Sequence, residues 1–169
     1  AQMIGAGLPL IAALAAVAGP WGPAASGGGR SGPAARTLGN WCFFSLQDTL
    51  LEQFIAAFDK PPTHLTLDID TFDDPTHGQQ QLTFFHGFYE QYQYLPRAIT
   101  CAENDLPLAV CLLYGTAHPA LGAADDVAYV VRRLRQVWPD VRIHLRGDSG
   151  FGVPKTYELC EELRVDYTL

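Results

Sequence analysis

The sequence has few basic residues and few cysteines, and each shortage excludes a class of protein. Lys and Arg together number 11 against 18 Asp and Glu, which gives a formal net charge of −7 over 169 residues. A protein of this charge does not bind nucleic acid through its overall charge. The four cysteines are far apart and form no CxxC pair. This spacing provides neither a zinc signature nor a disulfide framework. We therefore expect small buried cysteines in a reducing compartment, the cytoplasm.

The chain also lacks an apolar run that could span a bilayer. The run LPLIAALAAVAG near the N-terminus has only about a dozen residues, against about 20 for a transmembrane helix. No basic residue precedes it, as one would in a secretory leader. A tract of Gly, Pro, Ala and Ser follows, and such a tract cannot form a core. We therefore predict that residues 1–36 are low-complexity sequence, disordered or non-native, and we expect no membrane partner.

The rest of the chain has the composition and patterning of one compact domain. Apolar residues make up 48% of the sequence and charged residues 17%, which excludes general disorder. Between Ser45 and Phe58, apolar residues recur at three- and four-residue steps, which predicts an amphipathic helix ended by Pro61. We assign residues 37–62 to this helical segment and residues 63–169 to the core domain.

The core domain begins with three predicted strands. HLTLDID alternates, with leucines and isoleucine on one face and Thr66, Asp68 and Asp70 on the other. Two aromatic or apolar runs follow, at residues 83–100 and 106–116. No helix separates them, so we predict two further strands and an antiparallel meander.

The second half of the core domain alternates between helices and strands. From Gly122 the apolar period is helical, and Pro139 ends that helix. VRIHLRGD then predicts a strand with Arg142, His144 and Arg146 on its polar face. A further helix and the opening of another strand complete the chain. The order predicts an α/β fold in which a three-stranded meander precedes parallel strands with crossover helices. Because the sequence stops inside a predicted strand, we expect a fragment.

The stretch RGDSGFG, residues 146–152, contains short motifs of three unrelated functions. GDSG occurs around the serine of trypsin-like proteases, but it lies here between a strand and a helix, and no histidine has a recognisable base motif. RGD occurs in adhesion ligands, but here it ends an apolar strand in a chain without a convincing leader. The remaining interpretation is that Asp148 is a metal-binding carboxylate at a strand end.

A second acidic cluster follows the first predicted strand of the core domain. LDIDTFDDPTHG contains Asp68, Asp70, Asp73 and Asp74 within seven positions. Asp73 and Asp74 precede Pro75, and turn formation explains them best. Asp70 ends an apolar strand, as Asp148 does. If the two strands are neighbours, their carboxylates converge, and a pair completed by a third carboxylate is typical of metal-dependent phosphoryl transfer. The expected ion is Mg²⁺ or Mn²⁺.

These motifs resemble bacterial insertion-sequence transposases of the DDE type. The resemblance rests on LTLDIDTFDDPTHGQQQLTFFHGFYEQYQYLP, WPDVRIHLRGDSGF and CEELRVDYTL, and it extends from about Phe54 to Leu169. It implies a ribonuclease H-like catalytic domain, incomplete at its C-terminus, with Asp70 and Asp148 as the first two catalytic carboxylates and metal ligands. The family pattern favours Asp70 over Asp68 as the first carboxylate, and the choice between these two residues stays open. It further implies that DNA is the substrate, which the parent protein cuts at the ends of the element and joins to a target. Whether the parent protein is a dimer stays open.

The chain departs from the family pattern in two places. The family has Thr two residues after its first Asp, whereas Phe72 stands here and Thr71 comes one position earlier. The third catalytic residue of the family, a Glu, follows the last strand of this chain. We therefore expect the fragment to be inactive or nearly so. Among the basic residues, Arg142 and Arg146 are the candidates for DNA contacts.

Two alternatives remain at this point. Asp68-Ile69-Asp70 resembles the nucleophile motif of haloacid dehalogenase-type phosphatases, in which Asp68 would attack phosphorus and Asp70 would act as acid and base. An antiparallel meander follows Asp70, however, where that family has a crossover helix. The other alternative is a non-catalytic remnant of a transposase.

Overall fold

The computed structural model describes residues 46–78, 80–81 and 83–169. The chain divides into two compact units, Ala1–Thr49 and Leu50–Leu169, of which the first is described only in its last four residues. The low-complexity segment predicted for residues 1–36 lies outside the described residues, as does Cys42. The strands and all helices but the first four residues of the first helix belong to the second unit.

Four helical elements and seven strands lie within the described residues. In chain order they are α1 (46–56), β1 (His64–Thr71), β2 (Asp74–Pro75), β3 (Phe84–His86), β4 (Gln91–Cys101), β5 (Pro107–Tyr114), α2 (Ala123–Val137), β6 (Arg142–Gly147), a short 3-10 helix (Ser149–Phe151), α3 (Pro154–Leu163) and β7 (Asp166–Thr168). None of the helices described is long and apolar enough to cross a membrane.

The strands form one mixed sheet with β1 at its centre. On one side β1 pairs with β4 in the antiparallel sense, and β4 pairs with β5 likewise. On the other side β1 pairs with β6 and β6 with β7, both in the parallel sense. The helices α2 and α3 provide the crossovers that parallel neighbours require. This order, β5-β4-β1-β6-β7, confirms the predicted ribonuclease H-like arrangement of a meander followed by parallel strands.

The prediction of one strand over residues 83–100 is wrong. This run folds into a hairpin, in which β3 pairs with the first residues of β4 and residues 87–90 form the turn. Glu90 has a φ of 53°, in the left-handed region that a tight reversal uses. The turn residues Gly87 to Glu90 include two aromatics, which favour strands, so only Gly87 signals the reversal.

Alternation in β1 and β6 separates the two faces of the sheet. The inward residues pack with α1, α2 and α3 into one core, and they are Leu65, Leu67, Ile69, Ile143 and Leu145. Burying each such side chain stabilises the fold by about 1.5–3 kcal/mol. The intervening residues, among them Asp68, Asp70 and Arg146, therefore point to the opposite, polar face.

The predicted helices cover the apolar face. In α2 the residues Val127, Val130, Val131 and Leu134 are buried, as the helical period predicts. The C-terminal end of α1 is anchored by edge-to-face contacts among Phe54, Phe58 and Trp138, with ring centroids 5.1 to 6.3 Å apart. The described part of α1 ends at residue 56, before the predicted stop at Pro61.

A buried arginine ties the sheet to the start of α2. The Arg97 side chain lies on the core face of β4 and is 2% exposed. Its Nη1 donates to the carbonyl oxygens of Pro119 and Leu121, at 2.8 and 2.6 Å, and its Nη2 donates to Asp126 Oδ2 at 2.5 Å. Burial raises the pKa of Asp126, and the charge of Arg97 offsets this only in part. The pair fixes the connection between β5 and α2.

The described cysteines are structural. Cys101 and Cys160 are buried, and Cys111 is half-buried. Burial raises the pKa of each of these three thiols to about 11, which keeps them protonated and unreactive near neutral pH.

Candidate metal site at the ends of β1 and β6

The two strands that carry the predicted carboxylates are parallel neighbours. Their register pairs Asp68 with Arg146 and Ile69 with Gly147, so the next positions along the two strands are Asp70 and Asp148. The backbone of Asp148 remains extended, at φ −80° and ψ 175°. Neighbouring strands lie about 4.8 Å apart, and side chains at matched positions point to the same face. Asp70 and Asp148 thus directly follow the last paired positions of two neighbouring strands, and the alternation places both on the polar face.

Each carboxylate is held by a backbone N–H close to it in sequence. The N–H of Thr71 donates to Asp70 Oδ1 at 2.7 Å, and the N–H of Gly150 donates to Asp148 Oδ1 at 2.9 Å. Asp148 is thereby the N-cap of the 3-10 helix. Both residues are exposed, and within the described part of the chain neither carboxylate makes a further hydrogen bond or ion pair. One oxygen of each carboxylate is thus oriented, and the other is free to bind a ligand.

Two glycines next to these carboxylates have little room for a side chain. A Cβ on Gly147 would lie 2.9 Å from Ile69 Cγ2, because β1 and β6 approach closely there. A Cβ on Gly150 would lie 2.9 Å from Asp148 Oδ1, the oxygen that its own N–H holds. Glycine at these positions permits both the strand contact and the cap that orients Asp148.

The donor set fits one kind of metal ion. Carboxylate oxygens are hard ligands, and Mg²⁺ is usually bound by one or two carboxylates together with water and substrate phosphates. Among the residues that the structure describes, no group of three or more His, Cys, Asp or Glu side chains could hold a metal ion. The pair of Asp70 and Asp148 thus suits an open Mg²⁺ or Mn²⁺ site, and it does not suit a closed structural site such as that of zinc.

Asp68, two residues before Asp70, is engaged elsewhere. Its two oxygens accept from Arg146 Nε and Nη2 at 2.6 and 2.7 Å, a bidentate ion pair between β1 and β6. The phosphatase alternative, in which Asp68 attacks phosphorus, is wrong. It requires a free Asp68 and a crossover helix after β1, whereas the chain continues into the antiparallel strands β2, β3 and β4.

The other residues of the acidic cluster have structural roles. Asp74 forms the short strand β2 with Pro75 and pairs with Tyr94. Burial raises the pKa of the Asp74 carboxyl, and the neighbouring charge of Asp73 adds to the rise. Asp73 Oδ2 accepts a hydrogen bond from Gln91 Nε2 at 3.0 Å. The predicted turn residues therefore anchor the segment after β1 to β4.

The two arginines predicted to contact DNA lie at different distances from the carboxylates. Arg146 stands two positions before Asp148 and is ion-paired with Asp68. Arg142 begins β6 and lies six positions before Asp148, a distance of about 20 Å along an extended strand. It therefore lies at the opposite end of β6, so of the two arginines only Arg146 lies near the candidate metal site.

The arginines of α2 belong to its surface. Arg132 pairs with Glu162 at 3.4 Å and Arg133 with Glu52 at 3.8 Å, and the guanidinium of Arg135 donates to the carbonyl oxygens of Leu163 and Arg164. These contacts join α2 to α1 and to the end of α3. These contacts account for all three arginines.

A mixed sheet of this order, with acidic residues ending two adjacent parallel strands, defines a ribonuclease H-like domain with a candidate metal-binding edge. The family described as "Transposase DDE domain group 1" matches residues 29–169. The chain belongs to this family of DDE transposases. No curated protein matches the chain.

Solved structures of transposases resemble the chain at low sequence identity. The catalytic domain of the Mos1 mariner transposase is 12% identical over 75% of this chain and 59% of that one, with a TM-score of 0.43. The piggyBac transposase in a synaptic complex with hairpin DNA is 17% identical over 64% of this chain and 22% of that one, with a TM-score of 0.40. A Mos1 paired-end complex with Mn is 10% identical over 94% and 49%, with a TM-score of 0.40. The chain thus spans between about a fifth and three fifths of these proteins.

Proposed function

We propose that Asp70 and Asp148 are the first two carboxylates of a divalent-metal site for phosphoryl transfer on DNA. In the whole transposase this site would cut the strands at the ends of an insertion sequence and join them to a target. The observation that carries the proposal is the β1–β6 register, which pairs Ile69 with Gly147, the residues directly before Asp70 and Asp148. Membership of the DDE transposase family supports the same assignment.

The residues around the pair would orient it for metal binding. The N–H groups of Thr71 and Gly150 each hold one carboxylate oxygen, so the remaining oxygens of Asp70 and Asp148 would bind Mg²⁺ or Mn²⁺. When bound, such an ion activates the attacking oxygen or stabilises the leaving one in phosphoryl transfer. The exposure of both carboxylates would leave room for a DNA phosphate to reach the same ion.

The substrate would be held by local contacts, because the net charge of −7 gives no general attraction to DNA. Two carboxylates without a third make an incomplete set for this chemistry, and the described residues provide no third acidic ligand beside them. We therefore expect the 169-residue chain to bind metal and to cleave DNA poorly or not at all.

Titration of the chain with Mn²⁺, followed by calorimetry, tests the assignment of the two ligands. We expect Asp70→Asn and Asp148→Asn each to weaken binding by more than about tenfold, since even partners that only support a ligand are worth about 10- to 100-fold. Asp73→Asn is the matched control, because it removes one negative charge from the segment directly after β1 and keeps an oxygen for Gln91. Equal affinities for the Asp70, Asp148 and Asp73 variants would show that the pair is not the site.

A further inference from the structure

An ion pair lies next to the two proposed metal ligands on the same two strands. Asp68 precedes Asp70 by two residues on β1, and Arg146 precedes Asp148 by two residues on β6. All four side chains therefore lie on the polar face of the sheet, in two matched rows. Two residues of strand span about 6.6 Å, so the pair lies within one Debye length of the carboxylates at physiological salt.

The geometry of this pair is that of a specific contact. Arg146 donates through Nε and Nη2 to both oxygens of Asp68, at 2.6 and 2.7 Å. Such a bidentate contact fixes the orientation of both side chains as well as joining their charges. It also joins β1 to β6 two residues before the carboxylates on each strand. The guanidinium side chain remains 56% exposed, so the pair is open to solvent at the surface of the site.

We propose that Asp68 and Arg146 are positioning residues that balance the charge of the metal site. Arg146 neutralises Asp68, so that Asp70 and Asp148 alone supply the negative charge that attracts a divalent cation. Asp68 is then not a ligand, and Arg146 is held by the protein instead of being free for a DNA phosphate. This inference rests on the proposed function, since it concerns the affinity of the same site.

Removing one partner or the other changes the metal affinity in opposite directions. Asp68→Asn leaves an unpaired cation beside the site, which repels a divalent ion and competes for the carboxylates. Arg146→Gln leaves an unpaired carboxylate, which attracts the ion. A unit charge about 6.6 Å from a divalent ion in a solvated site changes its dissociation constant by about three- to tenfold at moderate salt.

A merely structural role predicts a different pattern. If the pair only held β1 and β6 in register, both single variants would weaken metal binding, and the double variant would weaken it as much. With charge balance, the double variant Asp68→Asn/Arg146→Gln changes no net charge and keeps its dissociation constant within about twofold of wild type. The three variants together therefore separate the two roles.

The experiment is a calorimetric titration of the whole 169-residue chain with Mn²⁺, at 50 mM and at 500 mM NaCl. The matched control is the exposed pair of Arg132 and Glu162, which joins α2 to α3. We expect Arg132→Gln and Glu162→Gln to leave Mn²⁺ affinity unchanged within about twofold, because helices and core separate them from the polar face. Circular dichroism and the urea midpoint of each variant establish that it is folded.

Weaker binding by Asp68→Asn, tighter binding by Arg146→Gln and smaller effects at 500 mM NaCl support the inference. Weaker binding by both single variants, or no change in either, overturns it while leaving the proposed metal site intact. If one single variant does not fold, two measurements still distinguish charge balance from a structural role. They are the direction in which the other single variant changes Mn²⁺ affinity and the Mn²⁺ affinity of the double variant. Failure of the wild-type chain to bind Mn²⁺ overturns the proposed function, and the inference with it.

Discussion

Two arginine–aspartate pairs within the described residues differ in burial and in the elements they join. Arg97 and Asp126 connect β4 to the first turn of α2, and their side chains are 2% and 32% exposed. Arg146 and Asp68 connect β6 to β1, and their side chains are 56% and 32% exposed. Both pairs have short contacts, so geometry alone does not distinguish them.

Their surroundings give the pairs different roles. The guanidinium of Arg97 also holds the carbonyl oxygens of Pro119 and Leu121, so its removal leaves two carbonyl groups and the Asp126 carboxylate without their donor. The guanidinium of Arg146 faces water, which can replace Asp68 at little cost to the fold. The buried pair therefore stabilises the structure, and the exposed pair acts on the charges beside it.

The largest expected effect is the loss of stability on removing Arg97. Arg97→Met keeps much of the side-chain volume but leaves the Asp126 carboxylate and two carbonyl groups unpaired. We expect it to lower the free energy of unfolding by about 3–5 kcal/mol, measured by urea denaturation. Arg146→Met is the matched control at the exposed pair, and we expect its unfolding midpoint to stay close to that of wild type.

Equal unfolding free energies for Arg97→Met and Arg146→Met would show that the two pairs contribute equally to stability, which contradicts the roles assigned to them. A further variant separates the buried charge from the carbonyl groups. In Arg97→Met/Asp126→Leu no carboxylate is left unpaired, so part of the lost stability returns. The Pro119 and Leu121 carbonyl groups still lack their donor, so the recovery is incomplete.

A smaller effect is expected in the pH dependence of stability. Burial raises the pKa of Asp126 above its value in the unfolded chain, so the folded state binds that proton more tightly. The contribution of the protonated Asp126 is therefore complete below about pH 3.8 and is lost as pH rises through the higher, folded pKa. The loss is at most about 1.4 kcal/mol per pH unit.

Asp126→Asn removes this titration, so the comparison is between wild type and that variant. We expect the unfolding free energy of wild type, relative to Asp126→Asn, to fall as urea denaturations are repeated from pH 4 upward. A difference that grows with pH would mean that the attraction of Arg97 outweighs the burial of Asp126, and that the pKa of this carboxyl is lowered.

Much of the fold and the position of the carboxylates can be predicted from the sequence. The period of two in HLTLDID and VRIHLRGD assigns the faces of β1 and β6, and the helical period from Gly122 assigns the buried face of α2. The parallel pairing of β1 with β6 then brings the ends of the two strands together, directly before Asp70 and Asp148. These features follow from local patterns and one pairing rule.

The contacts that depend on three-dimensional packing are not predictable in this way. Arg97 occurs within an apolar run, and nothing local indicates that its partners lie 22 to 29 residues further along the chain. The pairing of Asp68 with Arg146 requires the strand register, which a period of two does not supply. The hairpin of β3 and β4 is not predicted from the sequence either, because its turn contains aromatic residues that favour strands.

The most direct test of the central claim is the position of Mn²⁺ in crystals of the chain, located by its anomalous scattering. We expect a peak within coordination distance, about 2.0–2.3 Å, of carboxylate oxygens of both Asp70 and Asp148, with Asp68 still bound to Arg146. A peak held by Asp68, a peak at Asp73 and Asp74, or no peak between β1 and β6 at saturating Mn²⁺ would contradict it.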